Sequence, residues 1–496
     1  MKPFPPLRVQ DAKEAPVRDG ADFILYWMIA YRRPFWNYSL EKAVDWALEL
    51  EKPLVVLEAL RCDYPWASDR LHRFILDGMR DQAAHFRKKP VFYYPYVEPA
   101  KGAGKGLLRA LAKRACVIVT DDFPCFFLPR MVAAAAAKLG VRLEKVDSNG
   151  LLPMGAANQV FSSAYTFRRF LQKALPSHLF ERPKADPLKG VKLKKLPPSM
   201  TEEIQNRWPP ASTPLLRTTS KGFEGLPLDH TVKIVPFGGG FREAQRVLQD
   251  FVDDRLSRYH LDRNEPEEEG TSNLSPYLHF GHVSVHQIFD RIMAHEDWFF
   301  DRISPKTSGS RSGWWGMSEA AEAFLDQLIT WRELGFNLCS KSVDYDRYES
   351  LPPWAIRTLE DHGRDDRPYL YDMKGFETAS THDPLWNSAQ TQLVREGRIH
   401  NTLRMLWGKK ILEWSKSPQE ALHIMVELNN KYGLDGRDPN SYTGIFWVLG
   451  RYDRPWGPER SIFGKIRYMS SENTARKVHV KHYIEQYTPR AGMGGR

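Results

Sequence analysis

Three tryptophans stand where indole rings could pass electrons. Trp407 and Trp414 are seven residues apart in one segment of helical pattern. Seven residues make two turns, so both rings fall on one face, about 10.5 Å apart along the axis. Trp386 opens another such segment just upstream, behind Asp383-Pro384. Indole and phenol are the most readily oxidised common side chains here, although the same spacing also describes an apolar stripe facing a core. A second group is the hydroxyl-rich run Thr271-Ser-Asn-Leu-Ser-Pro-Tyr-Leu-His-Phe-Gly281. Loop hydroxyls beside a helix start suit a phosphate group; they also serve as ordinary caps. Glu333 follows Trp331 and Arg332. Burial beside indole would push its carboxyl towards the protonated form, whereas pairing with Arg332 would keep it ionised. Asn429 lies near the end of a segment whose start is explicit, Ser417-Pro418-Gln419-Glu420, a capping box with proline at the first helical position. Ala421, Ile424, Met425 and Leu428 follow at helical spacing, and Gly433 is expected to stop the helix.

The elements that must position these residues divide in two. Phe23–Tyr26, Leu54–Leu57 and Val117–Thr120 are short apolar runs of strand type. Helical stretches separate them, at 40–50 and 69–86, so the first part reads as α/β with a parallel sheet. The turn KGAGKG before Leu107 lacks the Gly-x4-Gly-Lys-Ser/Thr spacing of a phosphate-binding loop and reads as the start of a helix. Residues 183–240 are rich in Pro and Lys, with weak periodicity, and end in Gly238-Gly-Gly240. They read as a linker. From 241 onward the pattern is helical. The expected organisation is an α/β domain over 20–182, a linker over 183–240 and a helical domain over 241–488.

Composition narrows the class. At 496 residues the chain is too long for one core. No run approaches the ~20 apolar residues of a membrane span, so no membrane association and a cytoplasmic location are expected. The four cysteines, Cys62, Cys116, Cys125 and Cys339, form no CxxC pair and read as buried thiols, not as a disulfide framework or a metal site. A formal net charge of +10 suits a polyanionic partner, and fifteen Trp residues exceed what packing alone requires.

Taken in order, the motifs resemble those of the photolyase and cryptochrome family, and of class II cyclobutane pyrimidine dimer photolyases in particular. The similarity runs over about residues 20–485. It is carried by Tyr259, twelve residues before Thr271, with Ser272, Leu274 and Ser275; by Trp314-Trp-Gly-Met-Ser-Glu319; and by Phe324 to Trp331-Arg-Glu333. Thr381-His-Asp-Pro-Leu-Trp386, Arg404-Met-Leu-Trp407, Lys410 to Trp414, Leu434-Asp-Gly-Arg-Asp-Pro-Asn440 and Phe463-Gly-Lys-Ile-Arg-Tyr-Met469 complete it. The resemblance implies a Rossmann-like N-terminal antenna domain, a long linker and a C-terminal helical domain holding FAD. It implies light-driven repair of cyclobutane pyrimidine dimers in DNA, with FAD active in its reduced form, by a monomer. A blue-light photoreceptor of cryptochrome type and a (6-4) photoproduct repair enzyme are the alternatives.

The resemblance also assigns residues. Tyr259, Thr271, Ser272, Leu274, Ser275, Arg404, Asn429, Asp435 and Asp438 would hold the flavin. Asn429 would face its N5, where an amide can accept from a protonated nitrogen or donate to an unprotonated one. Arg404 and Asp435 would pair over the ring. Trp386, Trp407 and Trp414 would form the chain that reduces the flavin. Glu333 would hydrogen-bond the dimer and stabilise its radical anion. Trp447 would pack on the dimer. Asp453, Arg454, Trp456 and Arg467 would enter the gap left in the duplex. Two departures stand out. Ile29-Ala30-Tyr31 replaces a polar, acid-containing segment, and Thr120 to Phe127 is more apolar than the family pattern. Both bear on whether a deazaflavin-type antenna chromophore binds. The loop Gly450-Arg-Tyr-Asp453 is one residue shorter than that pattern.

Overall fold

The computed structural model describes residues 4–217 and 220–488. Residues up to Asn158, with Ala174–Gln249 and Leu274–Asp297, form one compact unit. Gln159–Lys173, Asp250–Asn273 and the chain from Trp298 form the other. The expected boundaries at 182 and 240 are therefore not where packing divides the chain. Residues 183–240 fold with the first unit, and the two units interleave in sequence.

The first unit holds a six-stranded sheet in the order β1-β6-β5-β2-β3-β4. The strands are β1 (Val9–Lys13), β2 (Phe23–Met28), β3 (Leu54–Leu60), β4 (Phe92–Val97), β5 (Ala115–Asp121) and β6 (Leu143–Val146). All pairings are parallel except β1 with β6. The antiparallel edge strand β1 carries no sequence signal: Gln10 and Asp11 face solvent, and its pattern is weak. β2 and β5 are buried at every position, which explains their unbroken apolar runs, because helices cover both faces of such a sheet. Helices α1 (Tyr38–Glu49), α2 (Asp69–Phe86), α3 (Leu107–Arg114) and α4 (Leu128–Lys138) connect the strands.

Asp121, at the end of β5, is fully buried. Its carboxylate accepts from Tyr26 Oη at 2.8 Å and from the backbone N–H groups of Ile29, Ala30 and Tyr31 at 2.7–2.9 Å. The apolar segment that replaces the family's polar one is thus pinned through its backbone. The three glycines that end the linker dock on α2: Asp77 accepts from Gly239 N, and His282 Nδ1 accepts from Gly240 N at 2.9 Å. Gly240 needs its positive φ of 94° to do so.

The second unit is helical. Asp383 caps the Trp386 helix (Pro384–Glu396), accepting from Trp386 N at 3.0 Å. The next helix, Asn401–Trp414, carries both Trp407 and Trp414 and is buried along most of its length. Ser417 caps the Asn429 helix (Pro418–Tyr432) as expected, although Glu420 reaches back to Lys416 N and not to the cap residue itself. Gly433 ends that helix in extended backbone, φ −72°, and not in the left-handed form. A side chain there would meet Asn429 O at 2.7 Å. Asp438 caps the Trp447 helix (Pro439–Val448), accepting from Asn440 N at 3.0 Å.

The Glu333 helix (Arg332–Lys341) continues from a helix at Glu319–Leu325 through a π-turn, Asp326–Trp331. Arg168 grips this turn through two bonds to Asp326, at 2.8 and 3.1 Å. The Glu333 helix crosses the start of the Trp447 helix at Gly335. A Cβ added there would lie 2.9 Å from Asn440 N and from the carbonyl group of Pro439. These are backbone atoms and cannot swing aside. Gly335→Ala is therefore expected to destabilise the protein by about 2–3 kcal/mol, read as a lowered urea midpoint; an unchanged midpoint would show that the two helices can separate freely.

Candidate functional site

A cavity of about 230 Å³ lies within the second unit. Trp331 and Gln327 from the π-turn, Arg404, Met405 and Trp407, then Asn429, Ser441, Trp447 and Tyr452 are among its lining residues. Trp331 and Trp447 stack nearly parallel, with centroids 4.6 Å apart and planes at 15°. A stacked indole pair, an arginine and an amide on the wall of one space suit a planar heteroaromatic ligand.

The polar groups of the wall are ordered. Arg404 pairs with Asp435 at 3.0 and 3.2 Å. Asn429 is 3% exposed and donates through Nδ2 to Ser441 Oγ at 2.7 Å. Arg437, with φ +64°, places its guanidinium on the carbonyls of Asn430, Gly433 and Leu434 at the end of the Asn429 helix. A cation there satisfies carbonyls that the helix leaves open.

The tryptophans form a connected line. Trp407 lines the cavity and donates from Nε1 to Gln390 Oε1 at 2.9 Å. Trp386, fully buried, donates from Nε1 to the backbone oxygen of Trp407 at 3.0 Å and meets the Trp414 ring at 6.0 Å. Beyond Trp414 stand His382 at 4.8 Å and Tyr371 at 5.8 Å, and Tyr369, 47% exposed, stacks on His382 at 3.6 Å. Trp386, from the neighbouring helix, links the two indoles that sequence spacing put on one face.

The other anticipated residues lie as follows. Glu333 is 5% exposed on the helix behind Trp331 and is not part of the cavity wall. Tyr259 packs edge-on against Phe251 and Phe324, at 5.7 and 5.3 Å. Thr271 receives Arg255 on its carbonyl oxygen at 2.9 Å. Thr271 and Ser272 belong to the second unit, whereas Leu274 and Ser275 belong to the first. Asp438 serves as the helix cap described above. Asp453 accepts from Arg454 N and Trp456 Nε1, each at 2.9 Å. Trp456, 37% exposed, has the guanidinium of Arg454 at 5.1 Å and that of Arg467 at 5.4 Å from its ring. Trp331, Ser441, Met405 and Tyr452 were not foreseen as wall residues. Trp331 sat in view inside the Trp-Arg-Glu triplet. The others have no local pattern, since only the crossing of helices brings them together.

Lys409 was also missed. It is 1% exposed, lies between Trp407 and Trp414 in sequence, and donates to Val448 O at the end of the Trp447 helix. Burial pushes its pKa down to about 7; Asp453 opposes the shift and Arg467 adds to it.

No protein-family model matches the chain. The deoxyribodipyrimidine photo-lyase of Methanothermobacter thermautotrophicus is 34% identical over 467 residues, 94% of each chain. That of Arabidopsis thaliana is 34% identical over 93% of this chain and 88% of its own. That of Potorous tridactylus is 32% identical over 96% and 84%. Among solved structures, a class III photolyase from Agrobacterium tumefaciens superposes with a TM-score of 0.67 at 16% identity, covering 94% of this chain and 86% of that one. A cryptochrome from Synechocystis gives 0.64 at 14%, covering 96% and 89%. These structures share the fold, an α/β sheet followed by a helical region. The chain belongs to the photolyase/cryptochrome family of flavoproteins. Within that family it is an enzyme, a lyase of the DNA-repair kind. No helix among the described residues is long and apolar enough to cross a membrane, and all four cysteines are buried and free.

The buried ammonium has a consequence for pH. In the unfolded chain Lys409 titrates near the usual ~10.4. Between about pH 7 and ~10, the unfolded chain holds a proton that the native state does not. Stability therefore rises with pH through that window and is level below it. Urea unfolding at pH 7, 8 and 9 should show the parent gaining on Lys409→Met by at most ~1.4 kcal/mol per unit. Parallel profiles would show that Lys409 is solvated.

Proposed function

We propose that this chain is a class II cyclobutane pyrimidine dimer photolyase that repairs DNA under blue light. The observation that carries the reading is the cavity itself: Trp331, Trp447, Arg404 and Asn429 surround one space, and a buried line of indoles runs outward from it. The residues fit a flavin. Arg404 and Asn429 present a cation and an amide, and Asp435 keeps Arg404 in place. Tyr259, Thr271, Ser272, Leu274, Ser275 and Asp438 are proposed to hold the remainder of FAD. When bound, reduced FAD would supply the light-driven electron that splits the dimer.

The protein's own residues do the rest. Trp331 and Trp447 provide apolar faces that exclude water from the dimer. Glu333, buried two residues on from Trp331, lends a hydrogen bond that matters most when the dimer carries negative charge. Arg454, Trp456, Arg467 and Asp453 form a prefolded basic and aromatic surface for the duplex at the extruded site. Trp407, Trp386 and Trp414 refill the flavin with electrons. A deazaflavin-type antenna is proposed only as an accessory: the loop after β2 is drawn onto Asp121 by three backbone bonds, so any chromophore there meets an apolar, backbone-pinned wall. The enzyme is proposed to act as a monomer. The retained Glu333, Trp447 and Arg467 favour repair over signalling.

The central test is illumination of the prereduced protein with dimer-containing DNA, which should regenerate thymines. Protein that binds flavin and DNA yet leaves dimers intact would favour the photoreceptor reading. Binding should weaken with salt at a log–log slope of about −0.9 per phosphate contacted.

Photoreduction separates from repair. Trp386→Phe should greatly slow light-driven reduction of bound FAD by an external donor, while the same variant reduced with dithionite still repairs. If the tryptophans only pack, both activities should fall together with flavin loss. Glu333→Ala should keep flavin and DNA yet lower repair per photon; an unchanged quantum yield removes Glu333 from the chemistry.

A further inference from the structure

Trp407 is held at two atoms by one face of the neighbouring helix. Trp386 and Gln390 are four residues apart on the Pro384–Glu396 helix, so they stand one above the other. Trp386 Nε1 donates to the backbone oxygen of Trp407 at 3.0 Å, and Trp407 Nε1 donates to Gln390 Oε1 at 2.9 Å. An indole N–H can only donate, so the Gln390 atom that meets it is the oxygen and not the NH2 group. The other end of the amide agrees, since Nε2 donates to the backbone oxygen of Glu377 at 3.4 Å. Glu377 is itself fixed: its carboxylate accepts from Lys431 Nζ and Tyr432 Oη, each at 2.7 Å. Gln390 and Trp386 are fully buried and Trp407 is 2% exposed, so solvent does not compete for these bonds.

Both acceptors share one property. An amide oxygen takes a hydrogen bond but is not basic enough to take the proton. That matters once an indole loses an electron, because the ring is then positive and its N–H becomes a strong acid. Beside a carboxylate or an imidazole the proton would leave, and the neutral radical left behind would hold the electron vacancy in place. Beside an amide the proton stays. We infer that Gln390 is a positioning residue for Trp407 that steadies positive charge on its ring without removing the proton, so that the vacancy stays free to move along the line. The inference rests on the reading that these indoles reduce a flavin in the cavity that Trp407 lines. The electrons balance with no bond broken in the protein. One electron leaves Trp407 for the flavin, Trp386 returns one to Trp407, and Trp414 returns one to Trp386. An external thiol, oxidised in turn, fills the vacancy that is left. A charged donor makes a stronger hydrogen bond than a neutral one, so the bond to Gln390 favours the oxidised ring over the resting one. Gln390 is not part of the cavity wall and acts through Trp407.

Flash spectroscopy of the flavin-loaded protein, without DNA, tests this on the parent, Gln390→Leu and Gln390→His. The cation and the neutral radical of indole differ in absorbance. The parent should show the cation. Gln390→Leu loses the acceptor, and light-driven flavin reduction by a thiol should fall about tenfold, the difference between a charge-assisted and a neutral hydrogen bond. Gln390→His supplies a base, and the neutral radical should replace the cation. In the dark and without flavin, the Trp407 Nε1–H resonance should shift in Gln390→Leu. Both variants, reduced with dithionite, should repair as the parent does. A Gln390→His variant that binds flavin and shows only the parent's cation overturns this inference alone, as does a Gln390→Leu variant that photoreduces at the parent's rate. A parent in which light forms no indole radical overturns the reading of the aromatic line as well.

Discussion

The close approach of two backbones at Gly335 governs the second unit. With no side chain at that position, the Glu333 helix settles onto the first turn of the Trp447 helix at van der Waals distance. That contact brings Trp331 and Trp447 face to face, with buried Glu333 two residues on from Trp331. The π-turn just before it matters equally. Trp331 and Gln327, four residues apart on one face, both reach the cavity while Asp326 turns to Arg168. A buried two-bond ion pair costs desolvation and gives little net stability, but it gives this irregular turn a single geometry.

Two buried basic side chains in this unit are spent on helix ends. Arg437 closes the Asn429 helix, and Lys409 closes the Trp447 helix. Both helices stop at the cavity, where open carbonyls would otherwise face a low-dielectric space without partners. One set of bonds therefore serves two ends. It completes the helices, and through the backbone of Arg437 and the side chain of Asn430 it holds the amide of Asn429.

In the aromatic line, the residues proposed to pass electrons are also packing residues. Trp386 is a core residue by every measure of burial, and its N–H closes on the backbone of Trp407. Its ring is also the contact that joins Trp414 to the cavity side. A core of close-packed indoles fixes both distance and orientation without any added machinery. Tyr369, partly exposed at the far end, makes the line reach solvent.

The local elements were legible because their causes are local. β2, β3 and β5 announce themselves as apolar runs, and Asp383 and Ser417 announce helices through caps that the structure contains. The chemistry proposed for Trp386, Trp407 and Glu333 rests on residue type in an ordered set of motifs. What the sequence could not determine was partnership. The antiparallel edge strand β1, the interleaving of the two units and the left-handed Arg437 depend on contacts far apart in the chain. The same is true within the site. Nothing local marks Ser441, Lys409 or Tyr452, and nothing local says that Trp386 and not the helix face links Trp407 to Trp414. Residue type and short-range spacing set what each side chain can do; only the crossing of helices, which is decided by where backbones can touch, set which of them meet.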